Sequence, residues 1–180
     1  MRTPRLLLAV FTAFVALLAI ALTPVAAQAD TDLFRDRRDD VRTPNDIRWL
    51  RVNYDEDLNV TFKLKGLPRG EVYLWIDAFG GPRPDYVWYG TLGDRAEDFA
   101  LYHTRNWTSL GDEIDCGYDY TRNRENNTVR LEIGSDCFDD SYDAVRVSGA
   151  TTYWNRRTDS YINVDYAPAR RAWYPYVDNG

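Results

Sequence analysis

Leu58-Asn59-Val60-Thr61-Phe62-Lys63-Leu64 alternates without a break, four apolar side chains against three polar ones. Successive side chains of an extended chain point to opposite faces, so this heptapeptide has one apolar side and one wet side. Gly66 to Gly70 then turns the chain. Val72, Leu74 and Ile76 continue the apolar face on the next strand and leave Tyr73, Trp75 and Asp77 opposite. Outward from this pair, strands are expected at 47–54, 86–89, 99–104, 114–120, 128–133, 144–148 and 161–165. The Gly80-Gly81-Pro82-Arg83-Pro84 segment and the polar stretch 122–127 interrupt them as loops. No segment after residue 30 carries a sustained 3.6-residue apolar stripe. The 28 acidic residues are 22 aspartates and six glutamates, a bias toward turns and caps rather than helices. About nine short strands predict an all-β fold, an antiparallel β-sandwich of immunoglobulin-like or jelly-roll type.

Residues 1–29 stand apart. Arg2 and Arg5 precede an uncharged apolar run from Leu6 to Leu22, and Ala27-Gln28-Ala29 follows. Charged, apolar and small-residue regions in that order read as a secretory signal peptide, with residues 30–180 as one domain. The expected location is extracellular. Without Arg2 and Arg5 the chain holds 20 basic against 28 acidic residues, a net charge of about −8. Such a surface disfavours nucleic acid and anionic membranes as partners. Lys63 and Lys65 are the only lysines, an arginine bias typical of a GC-rich bacterial genome.

Cys116 and Cys137 are the only cysteines. In an exported chain, each beside an expected strand, they predict a disulfide that closes a loop of roughly 20 residues and contributes about 3 kcal/mol. Enzyme chemistry has little to build on. His103 is the single histidine, no G-x-S-x-G elbow occurs, and clustered His/Cys zinc ligands are missing. Glycoside hydrolysis needs only two carboxylates, so it stays open as a minor alternative. No residue is assigned a catalytic role. The three sequons at Asn59, Asn106 and Asn126 read as chance matches in a bacterial protein.

Two constellations carry binding chemistry. Asp36, Asp39, Asp40 and Asp46 offer hard oxygen ligands suited to Ca²⁺, with a solvated acidic loop among Arg35, Arg37, Arg38 and Arg42 as the competing reading. Asp55 to Asn59 opens like an EF-hand, but Val60 stands where glycine is required, so that match is rejected. The chain also has six Trp, 13 Tyr and seven Phe. Trp75, Trp88 and Trp107 crowd its middle third, and Tyr73, Trp75 and Asp77 share a strand face. Flat rings stack on the apolar faces of sugars while nearby polar groups bond their hydroxyls. Tyr73, Trp75, Asp77, Trp88 and Trp107 are therefore the candidate ligand residues, weighed against the common use of aromatics as core.

Asp36-Arg37-Arg38-Asp39-Asp40, then Asp46-Ile47, the Trp75-Ile76-Asp77 strand end with its Gly-Pro loop, Cys137 after an apolar strand, and Val145-Arg146-Val147 together resemble a group of small secreted actinobacterial proteins of uncharacterised function. The resemblance covers most of the chain after the leader. Members usually carry glycine in place of Asp39 and threonine in place of Ala78. It implies a sandwich of the kind used by extracellular carbohydrate-binding modules and brings no catalytic residue with it. The leading expectation is a secreted, non-catalytic module for extracellular or cell-wall carbohydrate. The alternative is a structural or protein-interaction domain of the cell envelope, partnered by a cell-surface protein.

Overall fold

The computed structural model describes residues 30–37, 40–92, 98–139 and 142–179; the expected leader and Asp39 lie outside them. Eleven strands follow in order: β1 (Asp30–Arg35), β2 (Ile47–Tyr54), β3 (Leu58–Leu64), β4 (Glu71–Asp77), β5 (Tyr86–Thr91), β6 (Phe99–His103), β7 (Tyr118–Asn123), β8 (Thr128–Ile133), β9 (Ala144–Asn155), β10 (Ser160–Ala167) and β11 (Val177–Asp178). All pairings are antiparallel. One sheet runs β1-β2-β3-β8-β7, the other β10-β9-β4-β5-β6, with β11 paired to β9. The fold is a β-sandwich.

The alternating stretch 58–64 behaves as its pattern demands. Leu58, Val60, Phe62 and Leu64 are buried and Asn59, Thr61 and Lys63 half-buried. Val72, Leu74 and Ile76 are buried as well, but from the opposite sheet, because the 65–70 turn carries the chain across the sandwich. The two apolar faces then meet in one core that also holds Leu50, Trp88, Leu101, Leu131 and Val147. Strands β4, β5 and β6 form a meander, and β9 returns beside β4 after the chain has built β7 and β8 in the other sheet, which is a Greek-key path.

Two expected strands need correcting, and β1 is an addition. The segment expected at 114–120 pairs only from Tyr118, and its partner turn is confined to 124–127. Strand β9 is twelve residues long rather than five. Its Gly149 admits the Phe62 ring, which would lie 2.6 Å from a Cβ there. Strand β1 was not foreseen, because Leu33 points outward beside the half-buried Phe34 and breaks the apolar-polar rhythm. Cys116 and Cys137 are bonded, with Cα atoms 5.1 Å apart. The bridge closes the open end of the β7–β8 hairpin.

Candidate functional site

The outer face of the six-stranded sheet carries an aromatic cleft. Strand alternation puts Glu71, Tyr73 and Trp75 of β4 on this face, next to Tyr89 of β5 and, across the β4–β9 register, Ala150 and Thr152. Tyr166 of β10 lies opposite Ala150. The Tyr73 and Trp75 rings stack at 5.7 Å with 11° between their planes. Trp107 leans on Trp75 at 5.6 Å, and Trp173 on Trp107 at 4.6 Å. Tyr73, Trp75 and Trp107 border a cleft of about 290 Å³ whose rim includes Thr108, Thr152, Arg170 and Arg171. The Trp107 loop is held by its own polar groups. Asn106 Oδ1 accepts the Thr108 and Ser109 amides (2.8 and 2.9 Å), and Thr104 Oγ1 lies 2.7 Å from both the Asn106 and the Ser109 carbonyl, with one proton to donate to either.

A fixed carboxylate sits beside the cleft. Tyr73 Oη donates to Glu71 Oε2 at 2.8 Å, Tyr89 Oη to Oε1 at 3.2 Å, and Thr152 Oγ1 to Oε2 at 3.5 Å. Burial, and then the Glu71 charge, holds the Tyr73 and Tyr89 phenols above their ordinary range, and Tyr161 is pushed up to about 12 by the same two causes. These phenols therefore stay protonated and donate at neutral pH.

Of the five aromatic and acidic residues expected to bind ligand, Tyr73, Trp75 and Trp107 converge on this cleft and two do not. Trp88 has no exposed surface. It faces inward on β5, packs on Tyr120 at 5.0 Å and lies across Gly90, where any side chain would collide with the indole. Asp77 shares the outer face but is also fully buried. Its Oδ2 accepts Arg146 Nε at 2.6 Å, and its Oδ1 accepts the Gly80 and Gly81 amides at 2.9 and 3.2 Å, so it anchors a loop instead of meeting solvent. Trp75 retains 8 % exposure, enough for the floor of the cleft but not for an open platform. The expectation that Tyr73, Trp75 and Asp77 are exposed together is thus corrected, because Trp107 and Trp173 cover that part of the sheet. Tyr166 and Trp173, far along the chain, are additions that no local pattern announced.

The acidic loop is likewise rearranged. Asp36 and Asp40 are joined by Asp165 of β10, with one carboxylate oxygen from each lying within 4.8 Å of the others. Asp46, expected in this group, is fully buried and pairs with Arg48 at 3.1 Å. Asp165 is 1 % exposed and is oriented by the Ile47 amide, which donates to its Oδ2 at 2.5 Å. Burial, and then neighbouring carboxylates, raises Asp36 to about 7 and Asp165 to about 6, although backbone hydrogen bonds to each pull the other way.

A larger cleft of about 680 Å³ collects His103 with Asp85, Asp112 and Asp139 at the end of β6. His103 is an exposed strand-end residue whose ring lies 5.5 Å from that of Tyr86. Ser109 beside it accepts a hydrogen bond from Asn106 Nδ2 at 2.6 Å. Comparison with protein-family models, curated proteins and solved structures finds no significant match to this chain.

Proposed function

We propose that this protein is a secreted, non-catalytic binding module whose ligand is an extracellular or cell-wall carbohydrate, held in the aromatic cleft on the outer face of the six-stranded sheet. The observation that carries the reading is the Tyr73–Trp75 stacked pair flanked by Trp107, beside a cleft of about 290 Å³. Pockets for small ligands start near this size and combine apolar walls with a few oriented polar groups. Here the ring faces supply the apolar contact. Thr108, Thr152, Arg170 and Arg171 supply the polar one. Secretion rests on the leader-like residues 1–29 and on the disulfide, a bond kept in oxidising compartments. The described residues hold no helix long and apolar enough to cross a membrane.

The test is a glycan array followed by calorimetry on its best ligand. Trp107→Ala removes a half-buried ring from the edge of the cleft and should weaken binding by about 1–3 kcal/mol, taking base-on-ring stacking as the guide. An array without hits, alongside capture of a specific envelope protein that Trp107→Ala abolishes, would replace the sugar reading with the protein-interaction one.

A further inference from the structure

We propose a calcium site at the edge of the sandwich, built by Asp36 and Asp40 from the segment after β1 and by Asp165 from β10. One oxygen from each carboxylate lies within 4.8 Å of the other two. Two oxygens that each bind Ca²⁺ at about 2.4 Å can be no further apart than about 4.8 Å, a condition that all three pairs meet. Three carboxylates so close repel one another when ionised, and a cation between them removes that cost. The Arg48 guanidinium on this side is engaged with Asp46.

Tyr174, which stacks on the strand leading to Asp36, adds an unpartnered hydroxyl to the acids. It is 7 % exposed, and its hydroxyl has no hydrogen-bond partner among the described residues. Buried hydroxyls are rarely left so. The ring is fixed by stacking on Phe34 at 4.4 Å, two residues before Asp36, and the two charged groups that act on the hydroxyl are Asp36 and Asp165. Asp36 Oδ2 is also buried without a partner. A cation among these oxygens would satisfy both groups, the phenol giving a neutral oxygen. Three carboxylates with a neutral phenol oxygen suit the flexible six- to eight-oxygen shell of Ca²⁺, whereas Mg²⁺ is usually held by one or two carboxylates and keeps several waters. The ion would tie the free edge of one sheet to the free edge of the other.

The experiment is calorimetric titration of CaCl₂ into the chelator-treated purified protein, with thermal melts in Ca²⁺ and in chelator. One ion per chain should bind, and Tm should rise with Ca²⁺ concentration. Asp40 is exposed, and among the described residues its carboxylate accepts the Val41 amide, so Asp40→Ala should leave the melt in chelator nearly unchanged while weakening Ca²⁺ at least tenfold. Asp36→Asn should do the same or more, and Tyr174→Phe should weaken binding less. No heat and no Tm difference in the wild type would overturn the site. So would Asp40→Ala protein that binds Ca²⁺ as tightly as wild type, an outcome that decides the matter even if Asp36→Asn fails to fold.

Discussion

Replacing Asp77 should damage the fold, not a ligand contact, and the size of the damage follows from the groups it holds. Asp77 Oδ2 receives Arg146 Nε and Nη2, both at 2.6 Å, and Tyr176 Oη at 3.4 Å, while Oδ1 holds the Gly80 and Gly81 amides. The carboxylate is fully buried and the arginine 21 % exposed. Removing one member of such a pair strands the other, which costs about 3–5 kcal/mol. Arg146 would also lose the support that keeps its guanidinium over Trp173 and Tyr176, at 5.1 and 4.9 Å from the ring centres. Asp77→Ala should therefore lower the urea-unfolding free energy by about 3–5 kcal/mol, or Tm by roughly 6–20 °C for a domain of this length. Asp77→Asn keeps an oxygen for the two loop amides but loses the charge, and should cost about 1.5–3 kcal/mol. Arg146→Ala should be nearly as harmful as Asp77→Ala, and the double variant little worse than either, because both remove one interaction. An Asp77→Ala loss below about 1 kcal/mol, the value of an exposed ion pair, would refute this reasoning.

Other expectations follow from the same packing. Trp88→Ala should cost about 3–5 kcal/mol as a core tryptophan, read by urea unfolding, and should change ligand affinity only through lost stability. Thiol labelling of the unreduced protein should find no reactive cysteine, and Cys116→Ser with Cys137→Ser should cost about 3 kcal/mol by opening a loop of roughly 20 residues. Gly149→Ala should destabilise by about 1–3 kcal/mol, since a methyl there meets the Phe62 ring, whereas Gly149→Ala with Phe62→Leu should recover part of the loss. Burial raises the phenols of Tyr73, Tyr86, Tyr89 and Tyr120 in the folded state. Above pH 10 the unfolded chain sheds these protons first, so stability is intact below pH 10 and falls as pH rises beyond it, with phenolate absorbance appearing together with unfolding.

The sequence exposed the sandwich wherever one strand face met the core and the other met water. Strand β3 is the clearest case, and β2 and β8 were legible to the residue. Alternation could not say which side of a doubly covered sheet is which. Tyr86-Val87-Trp88-Tyr89 is apolar throughout, so nothing in it marks Trp88 as inward and Tyr89 as outward. For β4 the shared face of Tyr73, Trp75 and Asp77 was legible, but not its cover, because Trp107 and Trp173 arrive from segments about 30 and 100 residues away. Asp165 escaped notice among the acidic residues for the same reason: proximity to Asp36 is a product of sheet packing. The disulfide was legible because two cysteines in a chain with a leader-like N-terminal segment leave one pairing.

The most direct test of a carbohydrate ligand in the aromatic cleft is an NMR titration that follows the six tryptophan indole N–H resonances while the best glycan from the array is added. The cleft reading predicts shifts at Trp75 and Trp107, which line the cleft, with Trp88 in the core and Trp49 on the other sheet unmoved. Shifts confined to Trp49 or Trp154, or a saturating glycan that moves neither cleft indole, would contradict it.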